Sequence, residues 1–154
     1  MKHNNNMTLW VLIVVLVLGG LVYLTINNKK DIKDETNTNQ VLELEGVKAT
    51  ILSEGSGKPA VIGNTVSMNY TGAFVDGTVF DSNIDPKFDH LQPYAFTIGS
   101  EQVIKGWDIG IAGMKVGEKR KLEIESAYAY GEQGRGIIPP NTKLIFEVEL
   151  LSIN

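Results

Sequence analysis

The sequence contains no cysteine. Disulfides, thiolate nucleophiles, iron–sulfur ligation and a lipid-modified amino-terminal cysteine are therefore excluded together, and folding requires neither an oxidising nor a reducing compartment. Histidine is nearly as scarce. His3 stands in the amino-terminal tail and His90 in a polar stretch, so neither has a second imidazole nearby for a metal site. No metal and no cofactor are expected, and hydrolysis by a nucleophile and its base has no obvious base to use. There is no excess of positive charge either. The 14 Lys and Arg against 18 Asp and Glu leave a net charge of −4, which offers no basic face and makes a nucleic-acid partner an unfavourable reading. Phosphate and dinucleotide loops are missing as well. The GEQGRG stretch at 131–136 has the wrong glycine order, and Gly55-Ser56-Gly57-Lys58-Pro59 lacks the spacing and the Ser or Thr, so both read as turns. Glu147 and Glu149 lie two apart on an expected strand and share its solvent face, which suits a solvated edge better than an acid–base pair. Asn69-Tyr70-Thr71 matches the glycosylation sequon inside another expected strand, where it reads as a chance match.

What is present is unevenly distributed. No Asp, Glu, Lys or Arg occurs between Lys2 and Lys29, and the run LWVLIVVLVLGGLVYLTI from Leu9 to Ile26 is too apolar for a surface helix. At helical rise it covers roughly 27 Å, close to the hydrocarbon thickness of a bilayer, with Trp10 and Tyr23 near its two ends. The expected organisation is a short tail over 1–7, a transmembrane helix over 8–26, a polar flexible linker over 27–40 and a folded domain over 41–154. Two other readings of the run stand beside this one. A buried core helix would need surroundings larger than the rest of the chain supplies. A cleaved signal peptide would have an apolar core of about 7–15 residues and an A-x-A-like site, neither of which is seen. Lys and Arg counts at the flanks favour a cytoplasmic domain. A short anchor that doubles as an export signal, followed by an Asn-rich tether, favours the extracytoplasmic side, which is the expected location of this single-pass protein.

Residues 41–154 alternate with the period of strands. Val66, Met68 and Tyr70 alternate with Ser67, Asn69 and Thr71. Leu122 and Ile124 alternate with Lys121, Glu123 and Glu125, and Leu144, Phe146, Val148 and Leu150 flank Glu147 and Glu149. Val75-Asp76-Gly77 predicts a hairpin turn. The one helical stretch is Glu101 to Ile111, short and interrupted by Gly106 and Gly110. The expected fold is α+β, an antiparallel and strongly curved sheet wrapped around one short helix.

Tyr128 and Tyr130 stand in a Tyr-Ala-Tyr-Gly turn, followed by Gly134-Arg135-Gly136-Ile137-Ile138-Pro139-Pro140, an apolar loop beside phenols that suggests a binding mouth. At this point the sequence closely resembles the FKBP-type peptidyl-prolyl cis-trans isomerases, through VSMNYTGAFVDGTVFDS at 66–82, FTIGSEQVIKGWDIGIAGMKVGEKRKLEI at 96–124 and AYAYGEQGRGIIPPNTKLIFEVELL at 127–151. The resemblance implies catalytic roles for Tyr70, Asp81, Ile104, Trp107 and Tyr130, and substrate contacts for Phe80, Val103, Ile137, Ile138 and Phe146. In the family, the ring matching Trp107 forms the pocket floor, and the Ile104 amide and the Tyr130 hydroxyl resemble donors to a bound prolyl peptide. It also implies proline-containing polypeptides as substrates, macrolides of the tacrolimus and rapamycin type as ligands, and no cofactor. The chain departs from the pattern over 85–93, which is longer than in minimal members. The basic residue that supports the rim aspartate is not evident, with Lys87 as the candidate substitute, and Arg135 and Tyr94 also differ. A non-catalytic chaperone or tether using the same groove is the alternative, and a purely structural envelope domain a third reading.

Overall fold

The computed structural model describes residues 12–17, 20–25 and 39–154, and the chain divides into two units, Met1–Asn37 and Thr38–Asn154. In the first, the stretch expected to be helical carries two strands, β1 (Leu12–Val17) and β2 (Gly20–Thr25), paired antiparallel from Leu12 opposite Thr25 to Val17 opposite Gly20. The physical reason is composition. Ile13, Val14, Val15, Val17 and Val22 are branched at Cβ and suit extended backbone, and an unbroken apolar run has no periodicity to separate strand from helix. Among the described residues no helix is long and apolar enough to cross a membrane. The tail over 1–7 and residues 27–38 of the linker lie outside the described residues.

The second unit contains β3 (Val41–Leu44), β4 (Val47–Ser53), β5 (Thr65–Phe74), β6 (Val79–Ser82), β7 (Tyr94–Thr97), α1 (Lys105–Ile111), β8 (Lys119–Ile124) and β9 (Leu144–Ile153), with a single 3-10 turn at Ser126–Tyr128. All pairings are antiparallel in the order β3-β4-β8-β9-β5-β6, and β7 also joins β5. β5 is therefore the central strand. It pairs with β9 along its length, with β7 at Thr65–Met68 and with β6 at Thr71–Ala73. Alternation sets which face is buried: Val66, Met68 and Tyr70 on β5, Leu122 and Ile124 on β8, and Leu144, Phe146, Val148 and Leu150 on β9 all enter one core. The hairpin closes as the turn residues require, with the Phe74 amide donating to Thr78 O at 2.9 Å and Gly77 at φ 88°. Asp76 Oδ1 accepts the Thr78 amide at 2.9 Å, and this bond holds its carboxyl below the usual range.

The helix begins four residues later than the sequence suggests. Glu101 takes φ 61°, which an α-helix cannot accommodate, and the Gln102 side chain leaves the chain axis to accept the Thr97 amide at 2.8 Å. The two glycines that seemed to interrupt α1 let it approach the sheet. A methyl at Gly106 would fall 2.4 Å from Ile124 Cγ2, and one at Gly110 would fall 2.9 Å from Leu122, so α1 lies against β8 at a separation no larger residue permits.

One buried pair was not foreseen. Glu118 and Arg120 are 2% and 3% exposed, although Arg120 sits on a strand otherwise read as apolar inside and charged outside. Arg120 Nε donates to Glu118 Oε1, while Nη1 donates to the carbonyls of Gly110 at 2.8 Å and Ala112 at 3.3 Å. Glu118 Oε2 accepts the Lys115 amide at 3.0 Å. The pair thus satisfies carbonyls that the end of α1 leaves without intrahelical partners.

Candidate active site

α1 places Trp107 in a cleft of about 620 Å³ lined by residues of β5, β6, β9 and α1. The indole is 5% exposed and sits inside a cage of rings. Tyr70 is 5.3 Å away at 76°, Phe146 5.4 Å at 88°, Phe96 5.8 Å at 52° and Tyr94 6.1 Å at 84°, centroid to centroid. Three of the four are edge-to-face arrangements, which ring quadrupoles favour and which lock the floor's orientation. Phe80 extends the wall through an edge contact with Phe146 at 5.7 Å. Trp107 Nε1 is buried without a hydrogen-bond partner, so an indole donor lies unspent in the floor.

The cleft gathers Tyr70, Phe80, Asp81, Val103, Ile104, Trp107, Tyr130 and Phe146, eight of the ten residues singled out by sequence. They come from β5, β6, the loop into α1, α1 itself, the turn after β8, and β9. The remaining two do not line it. Ile138 is buried in the core, and Ile137 is 72% exposed, because Ile138 bonds back to Arg135 in an isolated bridge that turns consecutive side chains to opposite faces. Tyr94, Gln102, Lys105 and Arg135 line the cleft in addition. Tyr94 was visible in sequence only as a departure from the expected Phe. Arg135 lies 5.7 Å over the Tyr130 ring, a cation–π placement that brings positive charge to the mouth.

Polar groups cluster at the rim. The Tyr70 hydroxyl donates to Asp81 Oδ2 at 2.8 Å. Burial, and then this bond, push the Tyr70 phenol well above its ordinary value, and burial pushes Tyr130 up as well, so both act as proton-bearing donors. Lys87 does not support Asp81 as expected: its ammonium pairs with Asp85 at 3.8 Å. The partner of Asp81 is His90, whose Nε2 is 2.8 Å from Oδ1. His90, read from sequence as an uninvolved loop residue, is thus part of the rim. Among the described residues no group of three or more His, Asp or Glu is arranged to hold a metal ion.

Residues 56–151 match the family described as FKBP-type peptidyl-prolyl cis-trans isomerase. The chain belongs to that family. It is 47% identical over 108 residues to FK506-binding protein 1 of Dictyostelium discoideum, covering 70% of this chain and 97% of that one. It is 52% identical over 103 residues to an FK506-binding protein of Neisseria meningitidis serogroup A, covering 66% and 91%. It also matches FK506-binding protein 4 of Aspergillus oryzae at 46% over 126 residues, covering 82% of this chain and 26% of the relative, so the chain spans about a quarter of that protein's length. Among solved structures, FkpA from Escherichia coli superposes with a TM-score of 0.62 at 35% identity, covering 70% of this chain and 48% of that one. The superposition with FkpA supports an FKBP-like antiparallel sheet with one short helix.

Proposed function

We propose that this FKBP-type domain accelerates rotation about X-Pro peptide bonds in polypeptide substrates. One observation carries the reading: a cleft floored by a buried indole, walled by aromatic rings, with hydroxyl and carboxylate groups only at its rim. Rotation about an amide costs roughly 18–20 kcal/mol because it destroys resonance, and isolated X-Pro bonds exchange over tens to hundreds of seconds. The planar ground state is the more polar one. Moving the amide from water onto Trp107 and against Phe80 and Phe146 penalises that state more than the twisted one, which lowers the barrier without breaking a bond. The Ile104 amide, at the N-cap of α1, and the Tyr130 hydroxyl are suited to donate to carbonyls flanking the proline, holding the rotated geometry in preference to the flat one. The relatives' shared name, FK506-binding protein, supports macrolides of the tacrolimus type as ligands of the same cleft.

The test is exchange NMR or a protease-coupled assay on a short X-Pro peptide. Wild type is expected to raise the interconversion rate, and Tyr130→Phe to lower kcat/KM by about threefold to tenfold, the worth of one hydrogen bond of about 1 kcal/mol. Spontaneous rates in the presence of folded protein would favour instead a non-catalytic chaperone holding proline-containing segments.

We infer further that residues 8–26 anchor the domain to a membrane, with the domain on the extracytoplasmic side. The support is the charge-free run between Lys2 and Lys29. An isolated pair of strands would leave its outer backbone groups unpaired in hydrocarbon, so the inference requires this run to become helical in a bilayer. The full chain is expected to stay in the membrane pellet after an alkaline carbonate wash and to be digested by protease added to intact spheroplasts; recovery in the supernatant would overturn the anchor, and protection from protease the side.

A further inference from the structure

Both carboxylate oxygens of Asp81 are engaged. Oδ2 accepts the Tyr70 hydroxyl, Oδ1 faces His90 Nε2, and Nε2 is also 3.4 Å from the Tyr70 oxygen. His90 is delivered by the segment between β6 and β7, and that segment is built rather than loose. Asn83, 3% exposed, accepts the Tyr70 amide on Oδ1 at 2.7 Å and donates through Nδ2 to the carbonyls of Met68 and Gln92, each at 3.0 Å. One side chain therefore ties both ends of the loop to β5. Ser82 Oγ accepts the amides of Ile84 and Asp85 at 3.2 Å each. Asp85 Oδ1 accepts the Lys87 amide, and the Lys87 ammonium lies 4.9 Å over the Phe88 ring while paired with Asp85. The loop's lysine is thus committed to Asp85, and the imidazole is what meets Asp81.

We propose that His90 is a positioning residue for Asp81, clamping the carboxylate at the mouth of the cleft while the imidazole is protonated and loosening it when the imidazole is neutral. The inference rests on the isomerase reading of the same cleft. A protonated ring donates from both nitrogens and attracts the carboxylate through its charge. A neutral ring carries the Nε2 proton in only one of its two tautomers, and in the other its lone pair repels Oδ1 and competes for the single Tyr70 proton. The groups facing the pair are Tyr70 from β5, Tyr94 from β7, and Tyr130 and Arg135 across the cleft; on its own loop, Asp85 and Lys87 pair with each other and Asp89 adjoins. The Tyr70 and Tyr130 phenols, both pushed upward by burial, keep their protons throughout. The clamp is therefore tightest where the imidazole carries its charge and looser where it does not.

The deciding measurement is kcat/KM on an X-Pro peptide from about pH 5.5 to about pH 8 for wild type, His90→Arg and His90→Gln. Wild type is expected to fall about threefold to tenfold across that range, because a charge-assisted bond is roughly twice as strong as a neutral one. His90→Arg should stay level at the acid value and His90→Gln level at the alkaline value. A wild-type profile that His90→Gln leaves unchanged overturns the proposal. Wild type inactive at every pH removes the isomerase reading instead, and the clamp is then decided by NMR of the Asp81 carboxyl carbon, whose resonance at acid pH should differ between wild type and His90→Gln; identical resonances would overturn it.

Discussion

Trp107→Leu is expected to lower kcat/KM on a short X-Pro peptide by about tenfold or more, in a protein that still folds. The indole supplies a broad apolar face in the cleft, and four rings are packed against it. A leucine leaves a void beneath the bound proline, admits water to the amide and releases the edge contacts that orient Tyr70 and Phe146. Each aromatic pair lost is worth about 0.5–1.5 kcal/mol, and the truncation as a whole costs on the order of 2–4 kcal/mol of stability. Activity should therefore be measured where near-ultraviolet circular dichroism shows the variant folded. Exchange rates equal to wild type under those conditions would mean that the floor has no part in the reaction. Gln at the same position, close to leucine in size but polar, would separate the loss of shape from the loss of apolar character.

Arg120→Leu should produce the largest loss of stability, about 3–5 kcal/mol, because it strands Glu118 as a buried carboxylate with no cation beside it. The same change frees the Gly110 and Ala112 carbonyls at the end of α1. The double variant Glu118→Leu with Arg120→Leu should recover much of that loss, since a well-packed apolar pair often replaces a buried ion pair at little cost. Urea unfolding midpoints at unchanged slope would check both. A loss below about 1 kcal/mol in the single variant would show that the pair holds little. Because α1 carries Trp107, the pair also bears on the site: it fixes the far end of the helix whose beginning makes the floor.

Parts of this architecture were legible from residue order. Strand alternation at 66–71, 121–125 and 144–150 is a local property, since a half-buried strand must change side at every residue, and the structure keeps that alternation. The hairpin at 74–78 was equally local, because Gly77 tolerates the positive φ the turn needs. The beginning of α1 was not, because the Gln102 bond to Thr97 and the left-handed Glu101 are made by partners outside the helix. β7 escaped notice for another reason: four residues are too few to display a period.

Residue order by itself determined the class of the domain and the buried and wet faces of its long strands, because those depend on period, while its resemblance to a known family, carried by motif blocks read along the chain, implied eight residues that meet in one cleft. Tertiary structure alone decided which base meets Asp81, that Arg120 turns inward to cap α1, and that Ile137 faces away from the cleft. Each of these is a contact between different elements or loops, or a choice of side at an irregular turn. No propensity encodes such a choice, because the energy that makes it comes from the partner.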